Sequence, residues 1–370
     1  MIYLDSSATT KPYKEVIDTI VDVLENNWGN ASSDNSFGLK AKNIIDNVTN
    51  QVAADINCKS ENIIWTSGAC EANSLAIYGL IKNYLYIDFY TTRLEHASIN
   101  RMYGMKLDND PYGFVNLMDL QNACINSKTK NHTPFVSVCF ANSEIGTIQF
   151  IKSISKIVHK YNGILHVDAT QAYPWIIIDV QELGIDMMSV SGQKLHSVKG
   201  CGFLYVKDDI KLKPLIYGSQ QEGIRGGTYP THLIAAFGKA LEITRTHNVS
   251  MYVKNLRDAL LNKLLKIPGA VLNGPSFVNS RLVNNISLSI EGVKADDIVA
   301  LCDERGIIIA KGSACQSYTA TPSETLFAIG LTEEQALSTI RITLDELNTM
   351  EEMNKAAQEI QEVVEILRKY

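Results

Sequence analysis

Ile164-Leu165-His166-Val167-Asp168-Ala169-Thr170-Gln171 decides the fold: an apolar run of strand length stops on a carboxylate, and hydroxyl and amide side chains follow. Around it, β-prone and helical runs alternate. Asn62 to Thr66 precedes a helical pattern from Glu71 to Lys82, Tyr86 to Thr91 precedes one from Ala97 to Lys106, and Pro134 to Phe140 precedes one from Ile151 to Tyr161. Strands separated by helix-length segments require crossover connections, so the sheet they build is mainly parallel. Phe135-Val136-Ser137-Val138-Cys139-Phe140 is almost continuously apolar, as expected of a strand covered on both faces. An α/β fold is expected, with ligands bound outside the carboxyl ends of its strands.

A second strand end supplies the chemical complement. Ile185 to Val190 is β-prone and runs into Ser191-Gly192-Gln193-Lys194, a small-residue turn that ends on a lysine. An amine at a sheet mouth, flanked by small hydroxyl residues, is placed to form a Schiff base. Alone, Asp168 would be read as a helix N-cap and Lys194 as a solvated charge. Together they match pyridoxal phosphate (PLP), whose pyridinium nitrogen needs a carboxylate and whose aldehyde needs an amine. Thr66-Ser67-Gly68-Ala69-Cys70-Glu71 joins a strand to a helix, and backbone N–H groups at such a helix start can cradle phosphate. A plain tight turn using Gly68 for backbone freedom is the competing reading. Glu95-His96-Ala97-Ser98 brings an imidazole to the same edge, where a flat ring can stack on a pyridine and move protons.

Composition permits such an enzyme. The 370 residues are 45% hydrophobic and 20% charged, enough for a large core and for two domains or one α/β unit with an appendage. A net charge of -6 without a long basic run argues against direct nucleic-acid binding as the main function. The N-terminus lacks a signal-peptide pattern, and no run of about 18 apolar residues spans a bilayer. A cytoplasmic protein with no membrane association is expected. Seven cysteines without CxxC spacing fit reduced thiols better than disulfides or a zinc site, so no metal is expected.

Beyond about Arg245 the pattern changes. A long helix from Ser250 to Leu265, strands near Val271 and from Asn285 to Ile290, and a helix from Lys294 to Arg305 suggest a separate α+β unit. The chain closes with a capping box, Thr349 and Glu352, opening a helix whose Met353, Ala357, Ile360, Val364 and Leu367 form one apolar stripe.

The chain resembles the cysteine desulfurases of the class V aminotransferase group, PLP enzymes of fold type I. The resemblance spans the chain and rests on Asp5-Ser6-Ser7-Ala8-Thr9-Thr10, Gly29-Asn30-Ala31-Ser32-Ser33, Thr66 to Asn73, Glu95-His96, Asn142-Ser143-Glu144-Ile145-Gly146, His166 to Gln171, Ser191 to Lys194, Arg225-Gly226-Gly227-Thr228, Gly312-Ser313-Ala314-Cys315 and Ile340-Arg341. It implies a mainly parallel seven-stranded sheet in a large PLP-binding α/β domain, residues 13–246. Residues 1–12 and 247–370 would form a smaller α+β domain carrying the catalytic cysteine loop.

By the same resemblance Lys194 would be the Schiff-base lysine, His96 the ring-stacking catalytic residue, Asp168 the partner of the pyridine nitrogen and Gln171 a donor to the ring hydroxyl. Ala69, Cys70, Ser191 and Gln193 would hold the phosphate, with Thr228 reaching it from the neighbouring subunit of a homodimer. Asn30, Ser143 and Arg341 would bind substrate, Arg341 by a bidentate clamp on its carboxylate. Cys315, in a small, polar segment suited to a loop, would be the nucleophile. It would take sulfur from L-cysteine, release L-alanine and pass its persulfide to a sulfur-acceptor or scaffold protein, iron-sulfur cluster assembly being one destination.

Departures from the family pattern gather at the cofactor. Cys70 stands where threonine is common, Ser143 where a second asparagine is, and Gln193 where histidine is; Asn35 replaces a histidine farther away. Cys70 keeps its backbone N–H, and Gln193 can still donate without carrying charge. Lys194, Asp168 and His96 remain, so PLP is expected to bind, less tightly. An aminotransferase, lyase or racemase would need no thiol at position 315. A selenocysteine lyase, or a scaffold that has lost its cofactor and binds only sulfur-transfer partners, are the other readings.

Overall fold

A computed structural model of the chain describes residues 1–247, 249–277, 279–312 and 323–369. Its strands, in chain order among these residues, are β1 (Ile2–Tyr3), β2 (Ile63–Thr66), β3 (Ile87–Thr92), β4 (Met105–Leu107), β5 (Thr133–Cys139), β6 (Ile164–Asp168), β7 (Met187–Ser191), β8 (Gly202–Val206), β9 (Ala270–Leu272), β10 (Asn285–Ile290), β11 (Ile307–Ile308), β12 (Ala310–Lys311) and β13 (Thr339–Thr343).

Seven of them form one sheet in the order β2-β8-β7-β6-β5-β3-β4. The five from β7 to β4 run parallel, and β8 is antiparallel to both neighbours. The chain steps outward from β3 to β4, then returns to β3's other side for β5, β6 and β7. Such a reversal splays the connections apart and leaves a crevice at the carboxyl ends of the strands.

Both faces of the sheet are covered, and side-chain alternation sorts residues between them. Val136, Val138, Leu165 and Val167 join the core beneath the helix Ile151–Lys160. Phe135 and Met187 join the opposite core, against the helix Ala69–Ile81. His166 and Asp168 share a strand face, as do Ser189 and Ser191, and it is the face of that second helix. Phe237 meets Trp65 and Phe203 edge-on at ring separations of 5.5 and 5.7 Å.

A smaller antiparallel sheet, β12-β13-β10-β9, and the parallel pair β1-β11 lie in a separate core with Leu4, Leu260, Ile286, Ile298, Ile342 and Ile360. The helix Met350–Leu367 opens on the expected capping box: Glu352 N donates to Thr349 Oγ1 (3.2 Å) and Thr349 N to Glu352 Oε2 (3.0 Å). Met353, Ala357, Ile360 and Val364 on its stripe are buried.

One expected helix is cut short. Helix covers only Ala97–Asn100, and Met105–Leu107 is the edge strand β4. Gly104 passes so close to β3 that a Cβ there would lie 2.8 Å from the Phe89 ring and Thr91 Cγ2, and the chain then pairs with β3 instead of coiling.

Phe237→Ala should cost about 3–5 kcal/mol of stability, because the buried rings of Trp65, Phe203 and Tyr173 lose a partner at once. Urea unfolding, comparing midpoints at unchanged slope, measures it.

Candidate functional site

The ends of five strands, β2, β3, β5, β6 and β7, and one strand of the smaller sheet converge on an open cleft with a cavity volume of about 210 Å³. The turn after β2 comes first. Gly68 has φ +143°, a conformation that side chains disfavour, and an added Cβ there would point at Ser191 Oγ, 3.5 Å away. Gly202 of β8 lets this turn sit against the sheet, since a Cβ there would meet Gly68 Cα at 2.8 Å. The helix Ala69–Ile81 starts here, so its free N–H groups and positive dipole end face the cleft beside Ala69, Cys70 and Ser191. Glu71 steadies the turn by accepting from Ser67 N (2.7 Å) and from Arg225 Nε (2.8 Å).

At the end of β6, Asp168 is buried, with Oδ1 accepting from Thr170 N (3.0 Å) and Oδ2 from Asn73 Nδ2 (2.8 Å). Gln171 donates through Nε2 to Ser7 O (3.0 Å). Beyond β7 the short 3₁₀ turn Gly192–Lys194 delivers Lys194 Nζ to Ala8 O at 2.5 Å. His96 caps the helix Ala97–Asn100, its Nδ1 accepting from Ser98 N (3.2 Å). Arg341 lies in the middle of β13, only 2% exposed, with Nη2 on Asp5 Oδ1 (2.8 Å) and Nε buried without a partner among the described residues.

The cleft thus brings together Ala69, Cys70, His96, Ser143, Asp168, Gln171, Ser191, Gln193, Lys194 and Arg341, all named from sequence. Asn30 and Thr228 do not line it. Both are exposed, and Asn30 Oδ1 accepts from Ser32 N in its own turn (3.0 Å). Cys315 lies outside the described residues. Asn35 acts locally, its Oδ1 capping the helix Ser36–Asp55 by accepting from Phe37 N (3.1 Å) and Gly38 N (3.0 Å).

Sequence reasoning missed several supporting residues. Asn142 turns its side chain inward, donating to Leu94 O (2.7 Å) and accepting from Ile145 N (2.9 Å), which ties the end of β5 to that of β3. Glu144 bonds to Ser323 Oγ. Asn73 is fully buried within the apolar stripe of its helix, and a polar residue in that position was the signal available.

Burial dominates the electrostatics. It pushes the carboxyl of Glu95 up to about 8 against the hydrogen bond from Thr92, with Asp168 adding to the rise. The same cause raises Glu144 to about 7. His166, bridging Ser137 Oγ and Ser189 Oγ across three strands at 2.8 and 2.9 Å, is driven down to about 4 by burial and stays neutral. The Cys70 thiol moves the other way, lowered chiefly by its hydrogen bond with His96.

An amine, an acid and an imidazole at neighbouring strand ends, beside a helix-start anion cradle, define a site of the kind that holds PLP. The family model of Aminotransferase class-V matches residues 2–355, and the chain belongs to that family. It is 35% identical over 380 aligned residues to "Cysteine desulfurase IscS 1" of Archaeoglobus fulgidus, covering 100% of this chain and 98% of that protein. The structure of a NifS-like protein from Rickettsia africae superposes with a TM-score of 0.90 at 29% identity, covering 99% of each chain. That of "SspA in complex with cysteine" does so with a TM-score of 0.80 at 29% identity, covering 93% of this chain and 99% of that one.

Both the raised carboxyl and the lowered thiol can be tested. Glu95 is protonated in the folded chain well above its unfolded range, so the stability it contributes is complete below about pH 4.5 and is lost as pH rises through about 8. Glu95→Gln should therefore lose less stability between pH 5 and 8 than the parent, as read by urea midpoints across that range. Among the six described cysteines, Cys70 should react first with iodoacetamide at neutral pH, because it is exposed and its thiol is lowered while burial raises the others. Peptide mass mapping over time reads the order.

Proposed function

We infer that the chain is a PLP-dependent cysteine desulfurase, acting on L-cysteine to give L-alanine and a protein-bound persulfide. The observation that carries this reading is the meeting of Lys194, Asp168, His96 and Arg341 in one cleft, although they come from widely separated parts of the chain. The residues present fit the cofactor: a glycine turn that leaves open the space a Cβ would fill, a helix start for the phosphate, a carboxylate for the pyridine nitrogen and an amine for the aldehyde. Cys70, Ser143 and Gln193 line the same cleft and still offer a backbone N–H, a hydroxyl and an amide.

Bound there, PLP supplies an electron sink for the bonds broken at the substrate. Lys194 would hold the ring by its aldehyde carbon, and Asp168 would keep the ring nitrogen protonated. Gln171 and Ser143 address the ring hydroxyl and the substrate. Arg341, buried and with Nε unpartnered among the described residues, clamps the substrate carboxylate and so orients the Cβ–S bond. Cys315 attacks the substrate sulfur as thiolate; an S–S bond forms, the Cβ–S bond breaks, and Cβ takes a proton to give alanine.

The active unit is a homodimer in this reading. Asn30 and Thr228 are exposed outside their own cleft, which supports a role in the site of a second copy. Residues 13–246 form the cofactor domain, and 1–12 with 247–370 the smaller one. The persulfide passes to an acceptor or scaffold protein in the cytoplasm, iron-sulfur cluster assembly being one destination. Among the described residues no helix is long and apolar enough to cross a membrane.

Alanine formation from cysteine, with and without a thiol reductant, tests the reading. Lys194→Ala should lose both the visible cofactor band and alanine formation. Cys315→Ala should keep the band but form alanine only at background. A Cys315→Ala protein that still desulfurates cysteine, or a parent that transaminates instead, would overturn it.

A further inference from the structure

The imidazole of His96 and the carboxylate of Asp168 face the same cleft from different strands, and a chain of hydrogen bonds behind the cleft connects them. Asn73, fully buried on the helix Ala69–Ile81, is its centre. Its Nδ2 lies 2.8 Å from Asp168 Oδ2 and 3.0 Å from Ser98 Oγ. Ser98 Oγ in turn lies 2.9 Å from His96 Nδ1.

The orientation of the Asn73 amide is determined. Turning the Asn73 amide over would set its carbonyl oxygen against a carboxylate oxygen, two acceptors with no hydrogen between them, so the amino group must face Asp168. That group has two hydrogens, one for Asp168 and one for Ser98. Asn73 Oδ1 is left buried without a partner among the described residues, the cost of this orientation. Ser98 Oγ, accepting from Asn73, has its own hydrogen to share between His96 Nδ1 and the Cys70 thiol, both of which it meets. The same Nδ1 faces the Ser98 backbone N–H at 3.2 Å, which can only donate. That backbone N–H makes Nδ1 an acceptor, a role the Ser98 hydroxyl can reinforce, and the hydrogen of the neutral ring sits on Nε2. The Cys70 thiol hydrogen-bonds both His96 and Ser98 beside this chain.

We propose that Asn73 and Ser98 are positioning residues that hold His96 in its Nε2–H tautomer, anchored on Asp168. The inference rests on the cofactor reading in giving His96 and Asp168 their roles, and deepens it by assigning His96 a hydrogen to donate at Nε2. A hydrogen on Nδ1 would require the Ser98 hydroxyl to turn away and would deprive the Ser98 N–H of its acceptor. The group that holds the ring nitrogen and the group that meets the ring face thereby share one buried amide.

Protein labelled with ¹⁵N-histidine tests this, with and without cofactor, in long-range ¹H–¹⁵N spectra at neutral pH. Only seven histidines contribute, and the His96 signals are those missing from His96→Gln. The expected parent pattern is one protonated nitrogen, Nε2, and one bare nitrogen, Nδ1. Ser98→Ala, which loses the hydroxyl but keeps the backbone N–H, should shift the pattern part-way toward a tautomer mixture, and Ser98→Thr, which keeps the hydroxyl, should restore it. A parent spectrum with hydrogen on Nδ1, or a tautomer mixture in the parent, overturns the proposal even if the variants fail to fold. So does a folded Ser98→Ala whose pattern is unchanged. The tautomer in cofactor-free protein is read independently of the visible band, so failure of the cofactor reading and failure of this inference give different results.

Discussion

Parallel register is the constraint on which the site depends. Hydrogen bonding sets Cys139 opposite Asp168 and Asp168 opposite Ser189, so strands β5, β6 and β7 end nearly level. Each chain segment then leaves the sheet at the same edge with a chemically distinct group: Ser143 after β5, Asp168 on β6, Lys194 after β7 and His96 after β3. Because side chains alternate, shifting one strand by a single residue would turn its acid or hydroxyl toward the opposite core. The apolar residues flanking Asp168 on its strand resist that shift, since Leu165 and Val167 would have to leave their core for the other face.

A second constraint joins the two sheets. The N-terminal segment pairs with β11 through Ile2 and Tyr3, places Asp5 on Arg341, and then runs past the lysine turn. There Thr10 N donates to Gln193 O (3.0 Å), and His196 N donates to Thr10 Oγ1 (2.8 Å). Arg341 and Lys194 belong to different sheets, and this strap sets the distance between them. His196 adds a buried link to the smaller unit, with Nε2 3.4 Å from Glu346.

Charge is rationed in the site. Glu95, Glu144 and His166 surround it but are driven toward their neutral forms by burial, which spares the interior several unpaired charges. Asp168 instead receives a hydrogen bond on each oxygen, and Arg341 has Asp5 as its counter-ion. Groups meant to act on a ligand are thus supplied with partners, while the supporting acids are left to hold their protons.

Much of this was readable in order along the chain. The bounds of β6 and β10 coincide with the apolar run Ile164 to Asp168 and the alternating run Asn285 to Ile290, because strand side chains repeat on a period of two. The helix after His96 was misread because nothing local reveals that Gly104 must pass over Phe89. Asn142 and Asn73 were missed for a related reason, since a side chain that satisfies a distant backbone group or carboxylate looks like any polar residue until the strands are paired. By itself the sequence determined which chemical groups stand at the ends of which strands, for residue type and period are local properties. Which of those groups share hydrogens, how Asn73 joins Asp168 to His96, and that Arg341 reaches the same cleft were decided only by tertiary structure, because hydrogen-bond direction depends on atoms brought within about 3 Å from remote parts of the chain.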